Sequence, residues 1–122
     1  MSNNDPFISA LEREKLKEQK ALRYNQGKRK WALVDFKSLE PMVEVLEYGE
    51  EKYASWNWMK GQEVTSICES LLRHTFAFMD GEDNDPESGL SHLGHMMSNL
   101  MFISYMLREK PEWDNRHEKN ID

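Results

Sequence analysis

The pattern of apolar and polar positions divides the chain into helical runs. From Ser38 to Tyr53, apolar residues at Leu39, Met42, Val43, Leu46 and Tyr53 recur at helical spacing, with Ser38 placed to cap and Pro41 tolerated in a first turn. A second run holds Val64, Ile67, Cys68, Leu71, Leu72, Thr75, Phe78 and Met79, and stops at Asp80-Gly81, where glycine can close a helix. From Leu90 to Arg108 the chain is apolar nearly all round, the mark of a buried central helix. Residues 8–22 alternate charges around sparse apolar positions (Ile8, Leu11, Leu16, Leu22) and predict a helix exposed on most of its surface. Tyr24 to Trp31 has no helical period and centres on Gly27 among cations, so it reads as a loop or arm. Glu82 to Gly89 is an acidic loop, and the polar tail past Lys110-Pro111 is expected to fray. No segment reads as a strand. The expected fold is therefore all-α, a compact helical bundle forming one domain over 1–122, with 1–22 an exposed N-terminal helix or arm and 111–122 a polar tail.

Bulk properties narrow the function. The 122 residues suit one domain, and 39% apolar with 31% charged residues is ordinary for a globular protein. A net charge of -6 disfavours a protein that neutralises a nucleic-acid backbone, so no nucleic-acid partner is expected. The single cysteine, Cys68, cannot form an internal disulfide, nor does it join the four histidines in the usual zinc spacing. No run approaches the roughly 18 apolar residues of a membrane span. Met1 to Phe7 lacks the form of a secretory signal. A cytoplasmic protein with no membrane partner is the expectation.

The most informative chemistry is His92, His95 and Asn99, spaced by three and four so that one helix stripe carries all of them through an apolar surface. Buried polar groups need partners, so another side chain, a metal or a ligand must face them; histidines satisfied by core carbonyls are the alternative. Arg73-His74 lies on the preceding helix, His74 bordering its apolar face and Arg73 pointing the other way. If the two helices pair antiparallel across the acidic loop, His74 comes alongside His92; a half-exposed rim histidine and a solvated arginine are the alternative. The stretch Glu82-Asp83-Asn84-Asp85-Pro86-Glu87 packs four carboxylates into six residues, suited to Mg²⁺ or Mn²⁺ or else a solvated turn. Glu40, Glu44, Glu47 and Glu51 share another helix face, screened by water or by a cation. Lys28, Lys52 and Trp56-Asn57-Trp58 offer phosphate contacts, a stacking plane and an amide for a base edge, unless the tryptophans are core and the lysines chance surface charges.

Several segments together resemble one family. Tyr24-x-x-Gly27-Lys28, Val45-Leu46-x-Tyr48-Gly49-x-x-Lys52-Tyr53, Asn57-Trp58-x-x-Gly61, Leu71-Leu72-Arg73-His74, Gly81-Glu82-Asp83-x-Asp85-Pro86-Glu87-Ser88-Gly89-Leu90-Ser91-His92-Leu93 and His95-x-x-x-Asn99 are similar to the phage and prophage dATP/dGTP diphosphohydrolases, grouped with MazG-like all-helical nucleotide pyrophosphohydrolases. The resemblance implies hydrolysis of a purine dNTP to dNMP and pyrophosphate with a divalent ion, Mg²⁺ or Mn²⁺, in a homodimer or higher homo-oligomer. It gives metal or base duties to Glu82, Asp85, His92 and His95, with His74 as a further ligand. Phosphate contacts fall to Lys28, Lys52 and Arg73, and Asn57, Trp58 and Asn99 shape the nucleoside pocket. The chain departs from the MazG-like pattern of Glu-Glu-x-x-Glu followed by Glu-x-x-Asp: its later helix carries His92-x-x-His95, its earlier one Arg73-His74. A non-catalytic nucleotide-sequestering protein and a helical adaptor are the rival readings.

Overall fold

A computed structural model describes residues 7–118; the first six and last four residues, including most of the segment tested for a secretory signal and parts of the expected arm and tail, lie outside the described residues. The chain divides into two compact units, Met1–Leu33 and Val34–Asp122. The first holds helix α1, Ala10–Lys17, whose start is capped by the Ser9 hydroxyl accepting from the Glu12 N–H at 3.2 Å. It is shorter than the expected 8–22 because Leu11 and Leu22 remain exposed, and helices propagate in water mainly when an apolar face is packed.

The second unit is built on α2 (Glu40–Lys52), α3 (Val64–Met79) and α4 (His92–Glu109), with short 3₁₀ turns between and after them. The fold is all-α, as expected: no strand forms among the described residues, and an isolated antiparallel bridge pairs Asn84 with Ser91. No described helix is long and apolar enough to cross a membrane. Helix α2 starts at Glu40 rather than at a Ser38 cap, because the Ser38 hydroxyl donates to Asp35 within a 3₁₀ turn over Phe36–Leu39.

α3 and α4 pack side by side around Val64, Ile67 and Met106, with Cys68, Phe102, Ile103 and Tyr105 closing over them. Each such fully buried aliphatic contributes on the order of 1.5–3 kcal/mol. α2 crosses α4 at Gly94, where a Cβ would stand 2.2 Å from the Pro41 carbonyl oxygen, so only glycine allows this approach. The tail, expected to fray, forms 3₁₀ turns at Pro111–Trp113 and Arg116–Glu118. Trp113 covers Gly61, and the Asn115 side-chain oxygen accepts from the Thr65 N–H at 3.0 Å. Helix α3 has no cap of its own from Glu63, so a residue fifty positions away satisfies one of its orphan donors.

Candidate nucleotide and metal site

The turn after α3 sets up the site. Gly81, at φ 96°, donates to the Phe78 carbonyl, and Glu82 N–H reaches back to the Ala77 carbonyl at 3.0 Å. This paired closure requires a left-handed residue, which glycine supplies. It turns Glu82 back so that its carboxylate meets His92 Nε2 at 2.7 Å. The loop then folds on itself: Asp85 accepts the Ser88 N–H at 3.0 Å on its side chain and the Gly89 N–H at 2.7 Å on its carbonyl. Ser91 caps α4 by accepting the Leu93 N–H, and His92 N–H bonds the Asp83 carbonyl. The acidic loop is thus a closed turn locked to the first turn of α4.

Three imidazoles gather beneath it. His74 Nδ1 and His92 Nδ1 are 2.9 Å apart, and the His74 and His95 rings stack in parallel with centroids 4.4 Å apart. His95 Nε2 lies 2.7 Å from the Ser88 hydroxyl and 3.9 Å from Asp85. Burial, then the neighbouring His95, holds His74 below the ordinary imidazole value. Burial, against the pull of Asp85, lowers His95 as well. Burial works against ionisation of Asp85, but the Ser88 N–H and hydroxyl and the adjacent imidazoles outweigh it and keep the carboxyl below its usual range. Neutral imidazoles beside an ionised carboxylate are the protonation states that a cation site needs.

His74, Asp85 and His92 each offer a ligand atom, all within 4.8 Å of one another, an arrangement compatible with a metal ion. An ionised Glu82 carboxylate can only accept, so its contact with His92 Nε2 suits the tautomer protonated there, with Nδ1 turned to His74 as a lone pair. A carboxylate bonded to the far nitrogen of an imidazole is the usual support for a metal-ligating histidine. The donor set therefore fits a divalent cation.

The cluster forms one wall of a cavity of about 770 Å³, also lined by Tyr48, Lys52, Trp56, Asn57, Trp58, Ser70, Arg73, Glu87 and Phe102. This is within the roughly 300–1,000 Å³ of small-molecule sites. Arg73, expected on the side away from His74, lines the same cavity and has no ion-pair partner among the described residues; its long stem spans the step of about 100° between adjacent helical positions. Lys52 is held 3.3 Å from Glu87 and lies over the Tyr53 and Tyr48 rings. Trp58 stacks on Phe102 at 5.1 Å and meets Tyr105 edge-on. Asn99 is buried and is not among the lining residues; it donates to Ser70 at 3.2 Å, and Ser70 lines the cavity. Lys28 belongs to the first unit, in a turn closed by its N–H on the Asn25 carbonyl. Of the glutamate face on α2, Glu47 lines the cavity while Glu40, Glu44 and Glu51 do not. Ser88 and Ser70 are members of the site that spacing alone did not single out; the Asp85-x-x-Ser88 spacing, a side-chain-closed turn, was the available signal for the first.

The second unit is thus an all-helical one in which an acidic loop and an imidazole-bearing helix pair flank a cavity rimmed by cations and backed by aromatic rings. Sequence comparisons give its family. Residues 18–116 match the family model described as dATP/dGTP diphosphohydrolase, N-terminal, and the chain belongs to that family. It is 35% identical over 95 residues to a dATP/dGTP diphosphohydrolase of Salmonella phage PMBT28, covering 78% of this chain. The aligned part is 32% of that relative, so the chain spans about a third of its length. No solved structure gives a significant match.

Proposed function

We propose that this chain binds a purine deoxynucleoside triphosphate, dATP or dGTP, with Mg²⁺ or Mn²⁺, and hydrolyses it to dNMP and pyrophosphate. The observation that carries this reading is the junction, within one cavity, of a metal-compatible cluster (His74, Asp85, His92) with two cationic side chains and an aromatic wall. The name of the relative supports the substrate and the reaction class.

When bound, the ion supplies charge neutralisation at phosphate oxygens and acidification of a water. His74, Asp85 and His92 would hold it, and Glu82 keeps the His92 ring in register. His95, whose burial favours the neutral imidazole, would take a proton from the attacking water, with the Ser88 hydroxyl at its Nε2. Arg73 and Lys52 engage phosphate oxygens, Lys52 exchanging its Glu87 contact for the substrate. Asn57 and Trp58 shape the nucleoside end, while Asn99 acts through Ser70. Exposed apolar rows at Leu72, Phe76 and Met79 on α3 and at Leu93, Leu100 and Leu107 on α4 support a homo-oligomer. On this reading the protein works in a cytoplasm, where dNTPs are held.

Incubating the pure protein with dATP or dGTP and Mn²⁺ or Mg²⁺ should release pyrophosphate, abolished by EDTA. Absence of turnover with every dNTP removes the enzymatic reading. The imidazole-rich donor set, in place of the acidic pattern of MazG-like enzymes, favours one second reading: a non-catalytic nucleotide binder. That protein would bind dNTPs tightly, release no pyrophosphate and ignore EDTA.

A further inference from the structure

Trp56 is held at φ 64°, ψ 15°, the sole non-glycine in the left-handed region among the described residues. A bulky side chain disfavours that conformation, and glycine or asparagine would form the same turn with less strain. The turn itself is ordinary: Asn57 N–H bonds the Ala54 carbonyl, and Met59 N–H bonds the Trp56 carbonyl. Burial in the core does not offset that strain, because Trp56 stays 65% exposed. A strained, exposed aromatic that contributes little to the core is a candidate for function.

The two neighbouring indoles are used differently. Trp58 is committed to the interior, stacked on Phe102 and edge-on to Tyr105. Trp56 is tilted 48° from it at 6.3 Å and lines the cavity that holds the imidazole cluster and Arg73. Beside it, the Asn57 carboxamide also lines the cavity, and no hydrogen bond to it is formed among the described residues. We infer that Trp56 is the platform on which the nucleobase stacks, with Trp58 as its rigid backing and the Asn57 amide against the base edge. This rests on the nucleotide-binding reading above and assigns its base subsite. A purine, with the larger π-face, gains more from such a platform than a pyrimidine.

Calorimetric titration of the 122-residue protein with dATP, dGTP and inorganic tripolyphosphate, each with Mn²⁺, tests the assignment. Trp56→Gly should weaken dATP and dGTP on the order of tenfold, change tripolyphosphate by less than about twofold, and leave Tm unchanged or raised by a few degrees. Trp56→Phe should restore most of the purine affinity. Unchanged dATP affinity in Trp56→Gly, an equal loss for tripolyphosphate, or a fall in Tm overturns the stacking role while the nucleotide-binding reading stands. Failure of the unmodified protein to bind any of the three ligands removes that reading, and the base subsite with it.

Discussion

The α3–α4 pair is sealed differently at its two ends. Toward the start of α3 and the end of α4, Val64, Ile67 and Met106 pack with essentially no exposure, and Asn115 caps the helix start. Toward the other end the same two helices meet through imidazoles, a carboxylate and serine hydroxyls, with His92 only 2% exposed. Apolar packing at the first end stabilises the fold without needing any guest. At the second, buried polar groups are costly unless each finds a partner, and the partners there are held by a loop of four carboxylates. The contrast sets a packed apolar end against an end that carries the candidate binding groups, and single substitutions should separate the two.

The largest effect belongs to the apolar end. Met106→Ala should lower unfolding free energy by about 2–5 kcal/mol in urea titration, while Mn²⁺ affinity of the folded fraction is retained. His74→Ala should do the reverse: Mn²⁺ binding falls on the order of 100-fold, against roughly 1 kcal/mol of stability for the lost His92 partner. Equal damage to folding and to ion binding in both variants would erase the division. Glu82→Gln keeps the hydrogen bond to His92 but not its charge, so ion affinity should drop about tenfold with little change in Tm.

Acid sharpens the same contrast. His74 and His95 have folded values below the ordinary 6.5, so the unfolded chain takes up their protons first as pH falls. Their contribution to stability is whole above that value and is lost as pH drops through it toward the folded values. Asp85, lowered from 3.8, adds a contribution present above that value and lost as pH falls through its folded one. Stability should therefore decline on acidification, in urea midpoints measured from pH 8 to 4, and His74→Ala should flatten the upper part of that decline. Ion affinity should fall over the same range, because protons compete for the ligand atoms.

How much of this was legible in the sequence follows from how local each cause is. Helix α3 ends where Asp80-Gly81 predicted, because a left-handed closure is encoded by one residue. Helix α4 begins at His92 instead of Leu90, since Ser91 caps and Leu90 bonds Asp85 in the loop. The imidazole stripe was visible from spacing, whereas spacing left the approach of His74 to His92 open against a half-exposed rim histidine. Spacing did not show that Arg73 lines the same cavity, that Asn99 is satisfied by Ser70, or that Trp56 and Trp58 part company. Those outcomes depend on side-chain reach and on partners from other elements, which a one-dimensional period does not carry.

The tail contact on α3 supplies the smallest and most discriminating test. Asn115 bonds Thr65 through both ends of its amide, with 3.0 Å to the N–H and 2.7 Å to the hydroxyl, and it also meets Glu63 at 3.3 Å. Removing a capping side chain costs about 0.5–2 kcal/mol, so Asn115→Ala should lower the urea midpoint modestly. Because this cap lies at the apolar end of the pair, the loss should reach neither Mn²⁺ affinity nor the acid profile set by His74 and His95. A shift in either would mean that the two ends respond as one unit, with tail order governing the imidazole cluster through α3.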